Sequence, residues 1–424
     1  MSKTAFARKY RPLQFSEVIG QAHIARLLEN AINQGRIASA YLFTGPRGTG
    51  KTTFARILAR SLNCEAGSGP SAISCGVCDS CRSITLGNSL DVQEIDGATN
   101  NGVEAVKQII STVSTTAARA RYKIYTIDEV HMLSTAAFNA LLKTLEEPPE
   151  HVRFIFATTE PSEIPATVIS RCQRLDLRPI TNKDIVSALT GIASKEGIDI
   201  GEEAMGYIAR AAKGGLRDAT MMLDQMASME GGTVTAAKAM FVLGVPSVDE
   251  VIAFGKSISY GDVDFAMSLI SRGEARGVDP GVFCAEMSDF FRACAIRRAT
   301  GQHTAVTKEV SEKLEGEKLT DLMVHFGVAV KELRHSIDKR AVAEETIVLA
   351  AMIASRDRGQ IEWERPKLPE AEDVPVDGFV PVPTVEAEKK PAPVQEAAVM
   401  EEEAVQKSKS EPPKESQSNQ GELL

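Results

Sequence analysis

The sequence predicts an α/β fold, a parallel sheet covered by helices and followed by helical segments, and three observations carry that expectation. A glycine-rich loop, Gly45-Pro46-Arg47-Gly48-Thr49-Gly50-Lys51-Thr52, joins an apolar run at Ala40–Thr44 to a helical pattern from Thr52 to Leu62. Short β-rich runs then alternate with helical patterns as far as about Pro179. Beyond Pro179 strand character fades and helical periodicity takes over. Alternation of the two element types is the pattern of a parallel sheet, whose strands need a crossover between them.

The elements follow in order. After the loop helix, a strand is expected at Leu90–Asp96, a helix at about Val103–Val113, and a strand over 122–127 that closes on Asp128-Glu129-Val130-His131. A helix at about Thr135–Leu145 is stopped by Pro148-Pro149, and a strand from Val152 to Ala157 ends in Thr158-Thr159. Short helices are expected at about Asn182–Glu196, Gly201–Ala212 and Leu216–Gly231. The linker Gly244-Val245-Pro246-Ser247 then leads into a region from Val248 to Ser355 with the character of a separate helical bundle. Its apolar positions at helical spacing, such as Ala343, Ile347, Ala350 and Ala351, read as core or subunit-packing residues.

The glycine loop matches GxxxxGK[ST] in the strand-loop-helix context that the motif requires. Gly45, Gly48 and Gly50 let backbone N–H groups turn inward around phosphate oxygens, with Pro46, Arg47 and Thr49 completing the loop at a helix N-terminus. Lys51 would reach the β- and γ-phosphates and Thr52 would ligate Mg²⁺, so the chain is expected to bind a nucleoside triphosphate. The carboxylate pair Asp128-Glu129 at the end of a buried strand suits a Walker B site. There Asp128 holds the Mg²⁺ shell and Glu129 polarises the attacking water. An ordinary acidic helix cap is the plainer alternative. A hydroxyl at Thr158 or Thr159 either senses the γ-phosphate or caps a loop.

Four of the seven cysteines, Cys64, Cys75, Cys78 and Cys81, are spaced C-x10-C-x2-C-x2-C. Clustered thiols with two x2 spacings suit tetrahedral Zn²⁺ bound through sulfur, an Fe–S cluster and unmetallated thiols being the alternatives. No acid, base or open coordination position accompanies them, which points to a structural site closing an insertion.

At 424 residues and 43% apolar content the chain has room for several domains with real cores. No run of about 18 apolar residues occurs and the first ten residues lack a signal-peptide core, so a cytoplasmic protein without membrane contact is expected. The net charge of −9 is uneven: residues 361–424 hold 15 acidic and 7 basic side chains and 9 of the 19 prolines. That segment reads as a disordered, acidic, Pro-rich tail. The rest is nearly neutral, so contact with DNA must rely on local basic positions rather than bulk charge.

A set of motifs then makes a resemblance specific. Arg8-Lys9-Tyr10-Arg11-Pro12 with Phe15 and Glu17-Val18-Ile19-Gly20-Gln21 precede the glycine loop, the cysteines and Asp128–His131. Asn139-Ala-Leu-Leu-Lys-Thr-Leu-Glu-Glu-Pro-Pro149, Ser170-Arg171-Cys172 and Gly215-Leu216-Arg217-Asp218 follow. In this order, residues 1 to about 360 resemble the bacterial DNA polymerase III gamma/tau family of clamp-loader ATPases, within the AAA+ superfamily. The resemblance implies a AAA+ P-loop NTPase domain over 1–180 with a four-cysteine zinc insertion at 64–81. It further implies a helical lid over 181–244 and an all-α oligomerisation collar over 245–360, ahead of the tail at 361–424.

It also implies ATP, Mg²⁺ and Zn²⁺ as ligands, and ATP hydrolysis used to load a sliding clamp onto primed DNA. Thr159 matches the sensor-1 position, Arg217 sensor 2, and Arg171 the arginine finger that acts on a neighbouring subunit's ATP. Arg11, Pro12 and Val18 match the segment flanking adenine. Lys107 and Lys143 lie on helices that in the family face the ring interior and DNA, although each read alone is a solvated surface lysine. The implied partners are delta- and delta-prime-type subunits, further copies of the chain in a pentameric ring, the clamp and primed DNA. Longer tau forms continue beyond the collar into folded segments that hold the polymerase and the helicase. Here an acidic, Pro-rich segment of 64 residues stands in that place, which leaves those two partners, and the choice between a gamma-like and a short tau-like form, open.

Overall fold

A computed structural model of the chain describes residues 5–229, 233–301, 308–355 and 365–366. Apart from Arg365 and Pro366, the expected tail lies outside the described residues. Five strands, β1 (Ala40–Thr44), β2 (Val92–Asp96), β3 (Lys123–Asp128), β4 (Val152–Thr158) and β5 (Gln173–Asp176), form one parallel sheet in the order β2-β3-β4-β1-β5. The helices up to β5 are α1 (Phe6–Lys9), α2 (Ala22–Asn33), α3 (Lys51–Asn63), α4 (Asp79–Leu86), α5 (Val103–Val113), α6 (Thr135–Glu146) and α7 (Ala166–Ile169).

Period-two alternation decides which side each strand residue serves. β1 sends Tyr41 and Phe43 into one core with Phe54 and Leu58 of α3 and Leu28 of α2. Its Ala40 and Leu42 enter the opposite core with Ile109 of α5 and Phe138 and Leu141 of α6. β4 repeats the division, Ile155 and Ala157 against Phe154 and Phe156. Both faces are therefore covered, and β1 is buried at every position, which is why it reads as a continuous apolar run.

Helices α8 (Asn182–Glu196), α9 (Glu202–Ala211), α10 (Leu216–Ala227) and α11 (Ala236–Leu243) share a third core. The first turn of the chain also belongs to it: Phe6 is buried there and its N–H donates to Asp224 Oδ2 of α10 at 3.1 Å. The linker is built from two caps. Gly244, at φ +59, ends α11, and Ser247 opens α12 (Val248–Tyr260) in a capping box with Glu250.

The last core holds α12 with α13 (Val263–Ala275), α14 (Pro280–Thr300), α15 (Lys308–Lys313), α16 (Gly316–Leu333) and α17 (Lys339–Ser355). Among the described residues no helix is long and apolar enough to cross a membrane. Within this bundle Gly255 of α12 meets Phe290 of α14 so closely that an added Cβ would stand 2.2 Å from the ring. Gly255→Val is accordingly expected to cost about 1–3 kcal/mol by overpacking, seen as a lower urea midpoint. An unchanged midpoint would mean that α12 and α14 do not pack this way.

Candidate active site and candidate metal centre

The strand order places β4 between β1 and β3. The C-terminal ends of these three strands therefore deliver the glycine loop, Thr158-Thr159 and Asp128-Glu129 to one edge of the sheet, where ligands of open parallel sheets bind. The loop's curl needs its glycines. Gly45 stands at φ +141, and a Cβ there would lie 2.5 Å from the Leu177 carbonyl. Gly50, at φ +110, caps α3 and turns Lys51 and Thr52 into its first turn.

Lys51 is 6% exposed and its Nζ donates to the Gly45 and Pro46 carbonyls at 2.8 and 3.1 Å. Burial lowers its pKa, opposed by the nearby carboxylates of Glu129 and Asp128. Thr52 Oγ1 donates to Asp128 Oδ2 at 2.7 Å, so two candidate Mg²⁺ ligands from different elements already meet. Glu129 occupies the left-handed region at φ +45, a conformation that costs a non-glycine residue energy and clusters at functional sites. Gly97, after β2, packs under that turn: its N–H donates to the Asp128 carbonyl at 2.8 Å, and a Cβ would stand 2.7 Å from the Glu129 carbonyl. The Glu129 carboxylate is held from the other side by Thr159, whose N–H and Oγ1 donate to Oε2 at 3.3 and 3.1 Å. Thr158 turns away to His131 Nδ1 at 3.0 Å. Of the two hydroxyls, Thr159 thus touches the carboxylate expected to handle water.

Above the edge lies a cleft of about 1030 Å³. Arg47 to Thr52, Asp128 and Glu129 form its floor, Arg11, Pro12 and Val18 one wall, and Arg217 at the start of α10 another. The helical cluster touches the loop directly, since the Arg217 N–H donates to the Gly48 carbonyl at 3.4 Å and a Cβ on Gly48 would lie 2.9 Å from Gly215 Cα. Burial, with repulsion from Arg56 and Arg217, lowers the Arg11 pKa, an electrostatic setting that favours an anionic ligand. Gly45 and Pro46, also expected at the nucleotide, do not line the cleft, and their carbonyls accept from Lys51 instead. Sequence reasoning missed the contribution of α8, whose Ser187, Ala188 and Gly191 complete the cleft. Three small residues on one helical face were the available signal.

Arg171 is the site residue the structure leaves apart. It does not line the cleft, and its guanidinium pairs with Glu146 at 2.6 Å and donates to the Thr167 carbonyl. Lys107 and Lys143 are exposed on α5 and α6, which pack together.

The four sulfurs of Cys64, Cys75, Cys78 and Cys81 lie within 4.8 Å of one another. Thiolates about 2.3 Å from one tetrahedral Zn²⁺ stand roughly 3.8 Å apart, so the cluster fits such an ion. Backbone N–H groups of Cys75, Cys78 and Cys81 donate to the sulfurs of Cys64, Cys75 and Cys78 at 3.2 to 3.4 Å. The N–H groups of Val77 and Cys78 bring the Cys75 thiol down to about 6, whereas burial pushes Cys81 up to about 12. Cys64 caps α3, Cys78 caps α4, and Arg121 holds the Cys64 and Gly67 carbonyls.

A P-loop on a parallel sheet, an acidic pair two strands away and a helical cluster reaching over the loop define a P-loop nucleotide-binding protein of the lidded type. Residues 20–181 match the family model described as DNA polymerase III, delta subunit, and residues 184–232 the one described as DNA polymerase III clamp loader subunit, ATPase lid domain. DNA polymerase III subunit gamma of Buchnera aphidicola (Acyrthosiphon pisum strain) is 40% identical over 290 residues, 68% of this chain and 80% of that protein. Subunit tau of Bacillus subtilis is 40% identical over 357 residues and that of Escherichia coli 37% over 390, covering 82% and 90% of this chain. The chain belongs to the DNA polymerase III gamma/tau family, and it spans about three fifths of the length of these two tau relatives.

Gly45→Ala tests the loop geometry without reference to any ligand. It is expected to cost more than about 1 kcal/mol, seen as a lower thermal midpoint. Unchanged stability would show that the loop does not take this curl.

Proposed function

We propose that this chain is an ATP-hydrolysing subunit of a DNA polymerase III clamp loader, which uses ATP to open a sliding clamp and close it around primed DNA. The carrying observation is the meeting of Lys51, Thr52, Asp128, Glu129 and Thr159 at one sheet edge beneath Arg217, in a chain of the gamma/tau family. In this reading residues 1–180 are the AAA+ domain, 181–244 the lid and 245–360 the collar through which subunits form a ring. Copies of this chain and delta- and delta-prime-type subunits complete that ring.

The glycine loop cradles the triphosphate, and the Lys51 ammonium passes from the Gly45 and Pro46 carbonyls to the β/γ-phosphate oxygens. Arg11, Pro12 and Val18 flank the base. Thr52 and Asp128 hold Mg²⁺, which when bound neutralises and orients the phosphate oxygens. Glu129, kept in position by Thr159, polarises the attacking water. Water oxygen bonds to the γ-phosphorus as the bond to the β,γ-bridging oxygen breaks, leaving ADP and phosphate. Arg217 reads the γ-phosphate from the lid, so the nucleotide joins lid to sheet. The half-buried Arg171 reaches the ATP of the adjacent subunit, exchanging Glu146 for the phosphate, where an arginine finger typically contributes about 10³ to 10⁵ in rate. Lys107 and Lys143 face DNA phosphates.

Arg171→Ala should leave ATP binding by its own chain near wild type, whereas Lys51→Ala should abolish it. In rings mixing variant and wild-type copies, slow hydrolysis should occur at a wild-type loop whose neighbour lacks Arg171. Hydrolysis that instead follows Arg171 in the same chain as the loop would overturn the interfacial site.

The thiol cluster supports a structural zinc site, with the metal crosslinking Cys64 at the end of α3 to the loop of Cys75, Cys78 and Cys81. Purified protein should contain close to one zinc per chain, and Cys78→Ser should lower both metal content and thermal midpoint. Iron in the metal analysis, or full stability without metal, would contradict this.

A further inference from the structure

Helix α3 joins two sites. Lys51 opens it at the phosphate loop and Cys64 caps it at the thiol cluster, about 20 Å away at 1.5 Å per residue. Near the far end lies Arg60, only 3% exposed. Its Nη1 donates to the Leu13 carbonyl at 3.0 Å, the one hydrogen bond of this guanidinium among the described residues, and its Nε is buried without a partner. Its Nη2 abuts the thiol loop, where a Cβ on Gly76 would stand 3.3 Å away.

Leu13 belongs to the strap that walls the cleft on the base side, together with Arg11, Pro12 and Val18. The same strap meets the thiol loop a second time, through Gln14 Nε2 and the Ser74 carbonyl at 3.5 Å. Glu17 Oε2 closes the strap on itself by accepting from the Leu13 and Gln14 N–H groups at 2.7 and 3.3 Å. The base-side wall of the cleft is thus fastened to α3 through Arg60, against which the thiol loop packs at Gly76, and to the thiol loop itself through Gln14, while the phosphate side is fastened to the sheet.

We infer that Arg60 is a positioning residue for nucleotide binding, clamping the base-side strap to the thiol module so that metal occupancy at the four cysteines sets the cleft's affinity for the nucleoside. The inference rests on the proposed ATP site. A buried guanidinium cannot give up its acceptor without a desolvation penalty, so the strap and the module are held in register. Loosening the thiol loop withdraws Gly76 and Ser74 from Arg60 and Gln14. Lys51, Thr52 and Asp128 are untouched, because their contacts run through the loop, α3's first turn and β3. Coupling of this kind weakens binding of the base and leaves the chemical step alone, whereas a plain structural brace would weaken everything together.

The test compares two probes on the full chain, a non-hydrolysable ATP analogue and inorganic tripolyphosphate, by calorimetry. Arg60→Met should raise the Kd of the analogue about five- to tenfold, with the Kd of tripolyphosphate within about twofold of wild type, kcat near wild type and one metal per chain. Chelating the metal from wild type should give the same base-selective loss, and chelating it from Arg60→Met should add little, because both changes break one linkage. An unchanged analogue Kd in metal-replete Arg60→Met, or equal weakening of both probes, would overturn the inference. Should Arg60→Met lose metal or fail to fold, Gln14→Ala carries the test: a base-selective loss of about two- to threefold supports it and an unchanged Kd overturns it. Failure of wild type to bind either probe would remove the ATP reading itself, an outcome distinct from a wild type that binds and an Arg60 variant that binds equally well.

Discussion

The placement of β4 between β1 and β3 is the constraint on which the rest of the site depends. A parallel sheet buried on both faces leaves its strand ends as the place where polar groups reach solvent. With β4 in the middle, the groups at the ends of three adjacent strands become neighbours: the glycine loop, Thr159, and the Asp128-Glu129 turn. Residues 76 positions apart, Thr52 and Asp128, meet at 2.7 Å for this reason. Their meeting depends in turn on the apolar strand residues that fill the two cores and set the strands in register.

Two further connections extend from that edge. Toward the helical cluster, contact is made glycine against glycine, Gly48 on Gly215, and any side chain there would lift α10 and Arg217 from the loop. Away from it, α3 carries the frame of the phosphate loop to Cys64. The N-terminal segment links all of these, since Phe6 is buried among the helices of the third core, Leu13 is bound by Arg60, and Arg11 and Val18 wall the cleft. In the proposed reading the nucleotide completes a structure already joined at several points, which is how hydrolysis can be transmitted as a change of lid and interface geometry.

Much of this was legible in the sequence where local rules suffice. The glycine loop, the Asp128-Glu129 turn and the cysteine spacing are short-range patterns, and the helices at Val103–Val113 and Asn182–Glu196 end where the periodicity ends. Elements without a strong local pattern were missed. β5 is an edge strand of four residues, Gln173–Asp176, with only Leu175 buried, so no apolar run announces it. The packing of Phe6 on α10 and the lining of the cleft by α8 bring together residues far apart in the chain, which periodicity cannot reveal. Arg60 reads in sequence as one more helical arginine. Only its burial and the Leu13 carbonyl mark it out.

In the proposed reading the cleft hydrolyses ATP as part of clamp loading. That reading is tested most directly by the ATPase rate of the purified chain assembled with its proposed partner subunits, measured with and without a sliding clamp and primed DNA. Hydrolysis should rise when clamp and primed DNA are present together. A rate that neither component changes, or no hydrolysis in the assembled complex, would contradict that reading.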